Sequence, residues 1–227
     1  MEQKKNKKKL LIALLVALLL VGVGGTVAWL TSSNSLINEF TVGTFSEPTT
    51  DPEDASEPLD KVNGNFDGNL YEKNWNPNDD HKLMPGTTYS KDPYVGIGPG
   101  SEDGVVYVYV ENNFTNTNKI YFTINSDWEA VAGKTAAGAA SGTYKSGLFK
   151  YKAVLEGQDD ADSWTSTPLF TNIVVADGAT SDDFEVAQGQ DTAITVKSFI
   201  HQAKDSTGSD ISAAEIQSAA ETAFHIA

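Results

Sequence analysis

The sequence predicts an all-β protein, a jelly-roll-like β-sandwich with long loops and a short C-terminal α-helix. Two observations predict the strands: apolar and polar residues alternate over several short segments, and clusters of glycine, proline and asparagine separate those segments. A third predicts the helix, because only the stretch at about 212–224 repeats its apolar residues at helical spacing. Residues 29–227 are enough for a single domain with a sizeable core.

Residues 1–28 have the organisation of a secretory signal peptide. Five lysines precede an uninterrupted apolar run over 10–21, and the small residues Thr26 and Ala28 stand three and one positions before Trp29. We therefore predict cleavage between Ala28 and Trp29. The protein is expected to be secreted, and to contact a membrane only through an uncleaved signal peptide.

The remaining chain is strongly acidic. Residues 1–28 hold five of the 16 basic and one of the 31 acidic residues, which leaves 11 against 30 and a net charge of −19. Such a charge disfavours nucleic acid as a partner, and the absence of arginine removes the usual bidentate phosphate clamp. The absence of cysteine excludes disulfides and thiolate chemistry.

The first predicted strand is 36–45, where apolar residues alternate with polar ones. Its candidate pairing residues are Leu36, Phe40, Val42 and Phe45. The acidic loop 46–61 follows; its three prolines prevent it from pairing as a central strand. Its acids match no ordered ligand spacing, so we predict a solvated loop and no metal site.

The stretch 63–80 predicts a loop that packs its aromatic residues, Phe66, Tyr71 and Trp75, back onto the domain, with sugar binding by these rings as the alternative. Lys91-Asp92-Pro93 then opens an apolar segment, which Pro93 marks as an edge strand. In 105–110 the valines face one side and the tyrosines the other.

The segment 119–124 is predicted to form a hairpin with 105–110. Residues 130–147 are alanine, glycine, serine and threonine with little pattern, which predicts a loop with a short helix at 129–132 as the alternative. Strands resume at 148–155, short β segments continue to 186, and 192–200 predicts a central strand. Ser212, with Glu215 three residues later, marks the start of the terminal helix.

Two stretches carry a family resemblance. The first is Gly25-Thr26-Val27-Ala28-Trp29-Leu30-Thr31 with Asn38-Glu39-Phe40-Thr41-Val42-Gly43 behind it, and the second is Lys91-Asp92-Pro93 ahead of the Tyr-Val repeat at 105–110. They resemble the alternate signal peptides cleaved by the SipW type of signal peptidase in Gram-positive bacteria, and the TasA and camelysin family of biofilm matrix proteins. An ordinary signal peptide before an unrelated strand is the alternative. The sequence departs from the family pattern at Gly96 and Gly98, where the family usually has asparagine.

The resemblance implies a partner and a role. The partner is a signal peptidase of the SipW type, and the role is that of a structural subunit or accessory component of matrix or surface fibres. Such a subunit would lie in the extracellular matrix or at the cell surface and assemble with its own copies, or with other matrix proteins, by β-strand addition.

No catalytic pattern supports an enzyme. The three histidines form no His-Glu-x-x-His pair, and no Gly-x-Ser-x-Gly elbow is present. Asp159 and Asp162 are better explained as a solvated turn than as a glycosidase pair. We therefore predict no catalytic residues and no cofactor, with a secreted sugar-binding or adhesin module as the first alternative and a camelysin-like hydrolase as the second.

Overall fold

The computed structural model describes residues 45–60, 64, 66–75, 83–114, 117–186, 188 and 194–226, with 38–41 and 65 described by their backbone only. Leu36–Ala227 form one compact unit. The second unit, Met1–Ser35, lies outside the described residues. The predicted signal peptide 1–28 and its cleavage site at Ala28 and Trp29 therefore stay predictions.

The described residues form mostly short β-strands and one α-helix. The strands are β1 Asn38–Thr41, β2 Asn65–Asp67, β3 Leu70–Glu72, β4 Thr88–Ser90, β5 Pro93–Ile97, β6 Gly104–Asn112, β7 Ile120–Tyr121, β8 Trp128–Ala137, β9 Tyr144–Tyr151, β10 Ser163–Trp164, β11 Asn172–Val175 and β12 Ile194–Gln202. The helix is α1 Ala213–Ala223, and Ser181–Phe184 form a single 3-10 turn.

These strands form three sheets. The largest has the order β1-β12-β6-β9-β8, the second β10-β5-β3-β2 and the third β4-β11-β7. Among the described strands every pairing is antiparallel except that of β1 with β12, which is parallel. The predicted all-β class is confirmed, and the jelly-roll connectivity stays a prediction.

All three sheets contribute to one hydrophobic core, which makes the arrangement a sandwich. The inward face of β6 carries the three valines of the predicted alternation, and each is fully buried. Residues from the second and third sheets pack in the same cluster as these valines, among them Leu70, Val95, Ile97, Ile120, Ile173 and Val175. Alternation in β6 therefore identified the core side correctly.

The opposite face of the five-stranded sheet packs against α1. Tyr107, Leu148 and Phe199 form a second buried cluster with the helix residues Ile216 and Ala220. The side chain of Ser212 accepts a hydrogen bond from the Glu215 backbone N–H at 3.2 Å, which caps the first turn. The predicted helix and its start are confirmed.

The prediction of a loop or short helix in 130–147 is wrong except at 138–143, the turn between β8 and β9. Trp128–Ala137 is β8, the far edge of the five-stranded sheet, and its pairing with β9 is interrupted between Ala130 and Thr135. Gly133 adopts a φ of +76° within this bulge. The next residue is Lys134, whose Nζ lies 2.9 Å from Oε2 of Glu221 in α1. A bulged edge strand does not alternate regularly between apolar and polar residues, so the sequence pattern does not identify β8 as a strand.

Two further pairing predictions are wrong. The predicted hairpin does not form, because β7 pairs with β11 while β6 pairs with β9 and β12. The strand opened by Pro93 is not an edge, because β5 lies between β10 and β3. Pro93 is tolerated there because it is the first residue of the strand, where a missing N–H costs least.

The stretch predicted as an aromatic loop at 63–80 contains β2 and β3 in its described part. Tyr71 is fully buried, and its ring packs against those of Phe66 and Trp164 at centroid distances of 6.5 and 6.2 Å. These contacts favour the anchoring interpretation over sugar binding for Tyr71, because a buried ring offers no face to a ligand.

Candidate functional site

The strand β1 lies at the edge of the five-stranded sheet and pairs with only part of its neighbour. Its four residues pair with 198–201 of the nine-residue β12, whereas β6 pairs with β12 over all nine. Parallel pairing is slightly less stable per residue than antiparallel pairing, and an edge strand can be replaced by one from another chain. Among the described strands, β1 is therefore the natural candidate for exchange between copies.

The four candidate pairing residues of the first predicted strand do not all lie in β1. Phe40 lies in β1 and has Ile200 as its register partner, while Leu36 and Val42 lie outside the described residues. Phe45 is not in a strand; it is half-buried and packs against the main core. Phe45 thus belongs to the next segment and not to β1.

We call residues 45–60 the strap, because this segment follows β1 and is bound along its length to other parts of the domain. It covers most of the predicted acidic loop 46–61, but it is not freely solvated. Asp51 and Leu59 are only 6% and 8% exposed, and Thr50 forms an isolated β-bridge with Pro58. The strap is therefore part of the folded domain.

Asp162 is the main anchor of the strap. One carboxylate oxygen, Oδ2, accepts hydrogen bonds from the backbone N–H groups of Thr49 and Thr50 at 2.8 and 2.7 Å, and from their hydroxyls at 3.3 and 2.6 Å. Beside it, the Trp164 indole N–H donates to the Thr50 carbonyl at 3.1 Å. Hydrogen bonds to an ionised carboxylate are stronger than those between neutral groups.

A second anchor holds the start of the strap. The Ser46 backbone N–H donates to Ser101 Oγ at 3.0 Å, and the two hydroxyl oxygens lie 3.2 Å apart. The Ser46 carbonyl accepts from the Gly98 N–H at 2.8 Å and from the Asn69 side chain at 3.1 Å. Together with the hydrogen bond that the Ser46 hydroxyl donates to the Pro99 carbonyl, five polar contacts thus hold one residue only five positions beyond β1.

Two glycines, Gly96 and Gly98, make room for these anchors. A Cβ at Gly98 would lie 2.2 Å from the Glu47 carbonyl oxygen, and a Cβ at Gly96 would lie 2.3 Å from the Trp164 ring. Real Cβ atoms do not approach other atoms so closely, so a side chain at either position would displace the strap or its tryptophan. Close packing at this site therefore explains why both positions are glycine.

Ion pairs hold the middle of the strap. Lys73 Nζ lies 3.1 Å from Asp51 Oδ2 and 2.9 Å from Glu53 Oε2, and the Tyr94 hydroxyl donates to Glu53 at 3.1 Å. The hydrogen bond to Glu53 is the main reason that the pKa of Lys73 is raised. The charge of Lys73 thus partly neutralises Asp51 and Glu53, two acids of the predicted loop.

The Lys91-Asp92-Pro93 motif forms a buried corner and does not offer a surface site. Lys91 and Asp92 are 5% and 3% exposed. Lys91 Nζ lies 2.8 Å from Glu72 Oε2, whose side chain is fully buried, and 4.4 Å from the centre of the Trp75 ring. A buried charge is tolerated only when it is paired in this way. The motif therefore joins β3 to the start of β5.

Asp92 holds the chain just after β3. Its two carboxylate oxygens accept hydrogen bonds from the backbone N–H and the side-chain amide of Asn74, both at 2.8 Å. Burial raises the pKa of Asp92 to about 6, the hydrogen bonds from Asn74 oppose this shift, and the charges of Glu72 and Glu53 add to it.

This pKa predicts a pH-dependent stability. The folded value of about 6 exceeds the ordinary 3.8, so the folded state binds the proton more tightly and the contribution of Asp92 falls as pH rises from about 4 to 6. We expect the stability of the native protein relative to the Asp92→Asn variant to decrease over that interval. Urea denaturation at pH 4, 5, 6 and 7 measures it, and a constant difference between the two proteins would contradict the prediction.

Sequence reasoning missed Asp162 and Trp164 as site residues. It assigned Asp162 to a solvated turn, yet 112 residues separate it from Thr50, whose amide it binds. No local pattern reports a contact across such a separation. The sequence feature nearest to this contact is the pair of glycines at 96 and 98. Glycine is consistent with a close approach of other atoms, but it does not identify Asp162 or Trp164 as the residues that approach.

Within the described parts of the chain, no group of three or more His, Asp or Glu side chains is placed to hold a metal ion. No described helix is long and apolar enough to cross a membrane. Comparisons with protein-family models, with curated proteins and with solved structures find no match for this chain.

Proposed function

We propose that the protein is a secreted structural subunit of an extracellular fibre or matrix, and that its copies join by exchanging the strand β1. The observation that carries the proposal is the parallel pairing of β1 with β12 at one edge of the main sheet. In the exchanged state, β1 of one copy takes the same place beside β12 of the next.

Backbone hydrogen bonds supply most of the affinity in this kind of strand addition, and alternate side chains supply the register. A one-residue slip would turn every side chain of the strand to the opposite face, so the register partner of Phe40, the core residue Ile200, fixes one position. Because the donor and acceptor surfaces differ, the contact is head-to-tail, and it produces an open chain of copies when the rotation between neighbours does not close a ring.

The net charge of −19 for residues 29–227 opposes this association, since each copy repels the next. Salt screens such repulsion, because the Debye length falls to roughly 10 Å at 0.1 M and about 3 Å at 1 M. Assembly is therefore favoured by added salt, and also by acid that neutralises the carboxylates.

The test compares two single substitutions in purified protein that begins at Trp29. Phe40→Lys is expected to reduce polymerisation at least about tenfold, because a charge replaces an apolar register residue of the exchanged strand. Thr41→Lys, which adds the same charge one position later and on the opposite face of an alternating strand, is expected to polymerise much like the parent. Light scattering and electron microscopy in 0.15 M salt measure both.

A truncated protein lacking 29–42 gives the second arm of the test. It is expected to remain folded and monomeric, and to bind an added peptide of the sequence 29–42 in the vacated place beside β12. Unchanged polymers from either Phe40→Lys or the truncated protein would show that strand exchange through this segment is wrong.

A further inference from the structure

We propose that the strap remains bound to its own domain when β1 is exchanged, so that the exchanged part of the chain ends between Thr41 and Ser46. This inference rests on the proposed function and adds to it the boundary of the exchanged segment. Ser101, Asp162 and Gly98 are then positioning residues, since they determine where the chain leaves its own domain.

The first argument is the density of contacts at the start of the strap. Ser46 is bound through its N–H, its hydroxyl and its carbonyl, and the hydroxyl also donates to the Pro99 carbonyl at 2.7 Å. Buried backbone groups that lose their partners cost free energy comparable to a lost hydrogen bond each. Releasing Ser46 would break all of these contacts at once.

The second argument is that the anchors act at separate places along the strap. Asp162 holds Thr49 and Thr50, Lys73 holds Asp51, and the buried side chain of Leu59 holds the far end. By contrast, β1 has one described neighbour, β12, and pairs with it over four residues. The chain therefore releases β1 at lower cost than the strap.

The boundary fixes how far apart neighbouring copies can lie. Thr41 and Ser46 are five positions apart, and a fully extended chain spans at most about 3.3–3.6 Å per residue, which gives about 17 Å between the exchanged strand and its own domain. If the strap were released without binding to either domain, its 16 residues could lengthen the connection to about 70 Å. Retention of the strap thus predicts closely packed copies.

Two engineered disulfides test the boundary, and the absence of native cysteine makes both unambiguous. The first is Ser46→Cys with Ser101→Cys, at positions whose hydroxyl oxygens lie 3.2 Å apart, and it locks the strap to its own domain. The second is Thr41→Cys with His201→Cys, at register partners, and it locks β1 to its own β12. A short bifunctional thiol reagent whose links are broken by reduction can replace the disulfide at this second pair. Intact mass and free-thiol titration confirm each cross-link.

The oxidised strap lock is expected to polymerise to the same extent as its reduced form, within about twofold. The oxidised β1 lock is expected to remain monomeric and to recover polymerisation on reduction. If both locks block assembly and both recover on reduction, the strap is exchanged too, and the inference is wrong while the proposed function stands. If the β1 lock fails to block assembly, the proposed function fails, and this inference fails with it.

Discussion

Replacing Lys91 by methionine is expected to destabilise the folded domain by about 3–5 kcal/mol, the usual cost of removing one partner from a buried ion pair. The reason is that the Glu72 carboxylate, fully buried and 2.8 Å from Lys91 Nζ, loses its countercharge. Methionine keeps most of the side-chain volume, so packing against Trp75 changes little. Urea denaturation at pH 7 measures the change in the free energy of unfolding.

The matched control is Lys204→Met, which removes the same charge from an exposed pair. Lys204 lies 2.9 Å from Asp210, but their side chains are 52% and 83% exposed, and such surface pairs contribute only about 0–1 kcal/mol. The double variant Lys91→Met with Glu72→Gln is expected to recover part of the loss, because it removes the buried charge together with its partner. Equal effects of Lys91→Met and Lys204→Met would contradict the importance of the buried pair.

Replacing Phe122 by alanine is expected to cost about 3–5 kcal/mol, the range for truncating a buried phenylalanine. Phe122 is fully buried, and its ring lies 4.4 Å from that of Phe170 and 5.6 Å from that of Phe149, measured between centroids. It directly follows β7 of the three-stranded sheet and forms a bridge with Tyr144 of β9. The residue therefore joins two sheets, and its loss leaves a cavity where they meet.

Tyr121→Ala is the control for Phe122, because Tyr121 precedes it in the chain and is only half-buried. We expect this substitution to cost less than half as much, since the removed ring was already partly in contact with water. Thermal unfolding of both variants distinguishes them. Equal losses would show that Phe122 does not have the central packing role described above.

The parts of the fold that the sequence predicted well are those with regular alternation. The valines and tyrosines of β6 and the apolar positions of β12 repeat with period two, and the structure places them on the expected faces. The terminal helix was visible because Ile216, Ala220 and Phe224 repeat at helical spacing and share one buried cluster. In these elements the local pattern alone determines the buried side.

The parts that could not be predicted depend on contacts between distant residues. The strand β8 has a bulge and few large apolar residues, so its ten residues show no pattern that separates them from a loop. The pairing of β7 with β11 joins Ile120 to Val175, and no alternation in either strand selects that partner. Pattern predicts that a strand exists more reliably than it predicts which strand it pairs with.

At the candidate site, too, some features were predictable from local sequence and others depend on contacts between distant residues. The alternation at 36–45 and the motif Lys91-Asp92-Pro93 are visible in the sequence, and the structure gives β1 an edge position and buries all three residues of the motif. The prediction of a solvated loop at 46–61, which rests on the acidic and proline-rich composition of this segment, is wrong for the strap. Composition alone could not reveal that Asp162, Lys73 and Ser101 provide partners for it.

Because β8 is irregular, the two edges of the five-stranded sheet differ. One edge is β1, and the other carries a bulge at Gly133 with Lys134 beside it, features that disfavour pairing with another strand. If copies join through β1 as proposed, the head-to-tail contact orients every copy alike, and β8 stays at the other edge of each sheet. The bulge in β8 would then disfavour side-by-side pairing of such polymers through the main sheet, which favours thin filaments over broad ribbons.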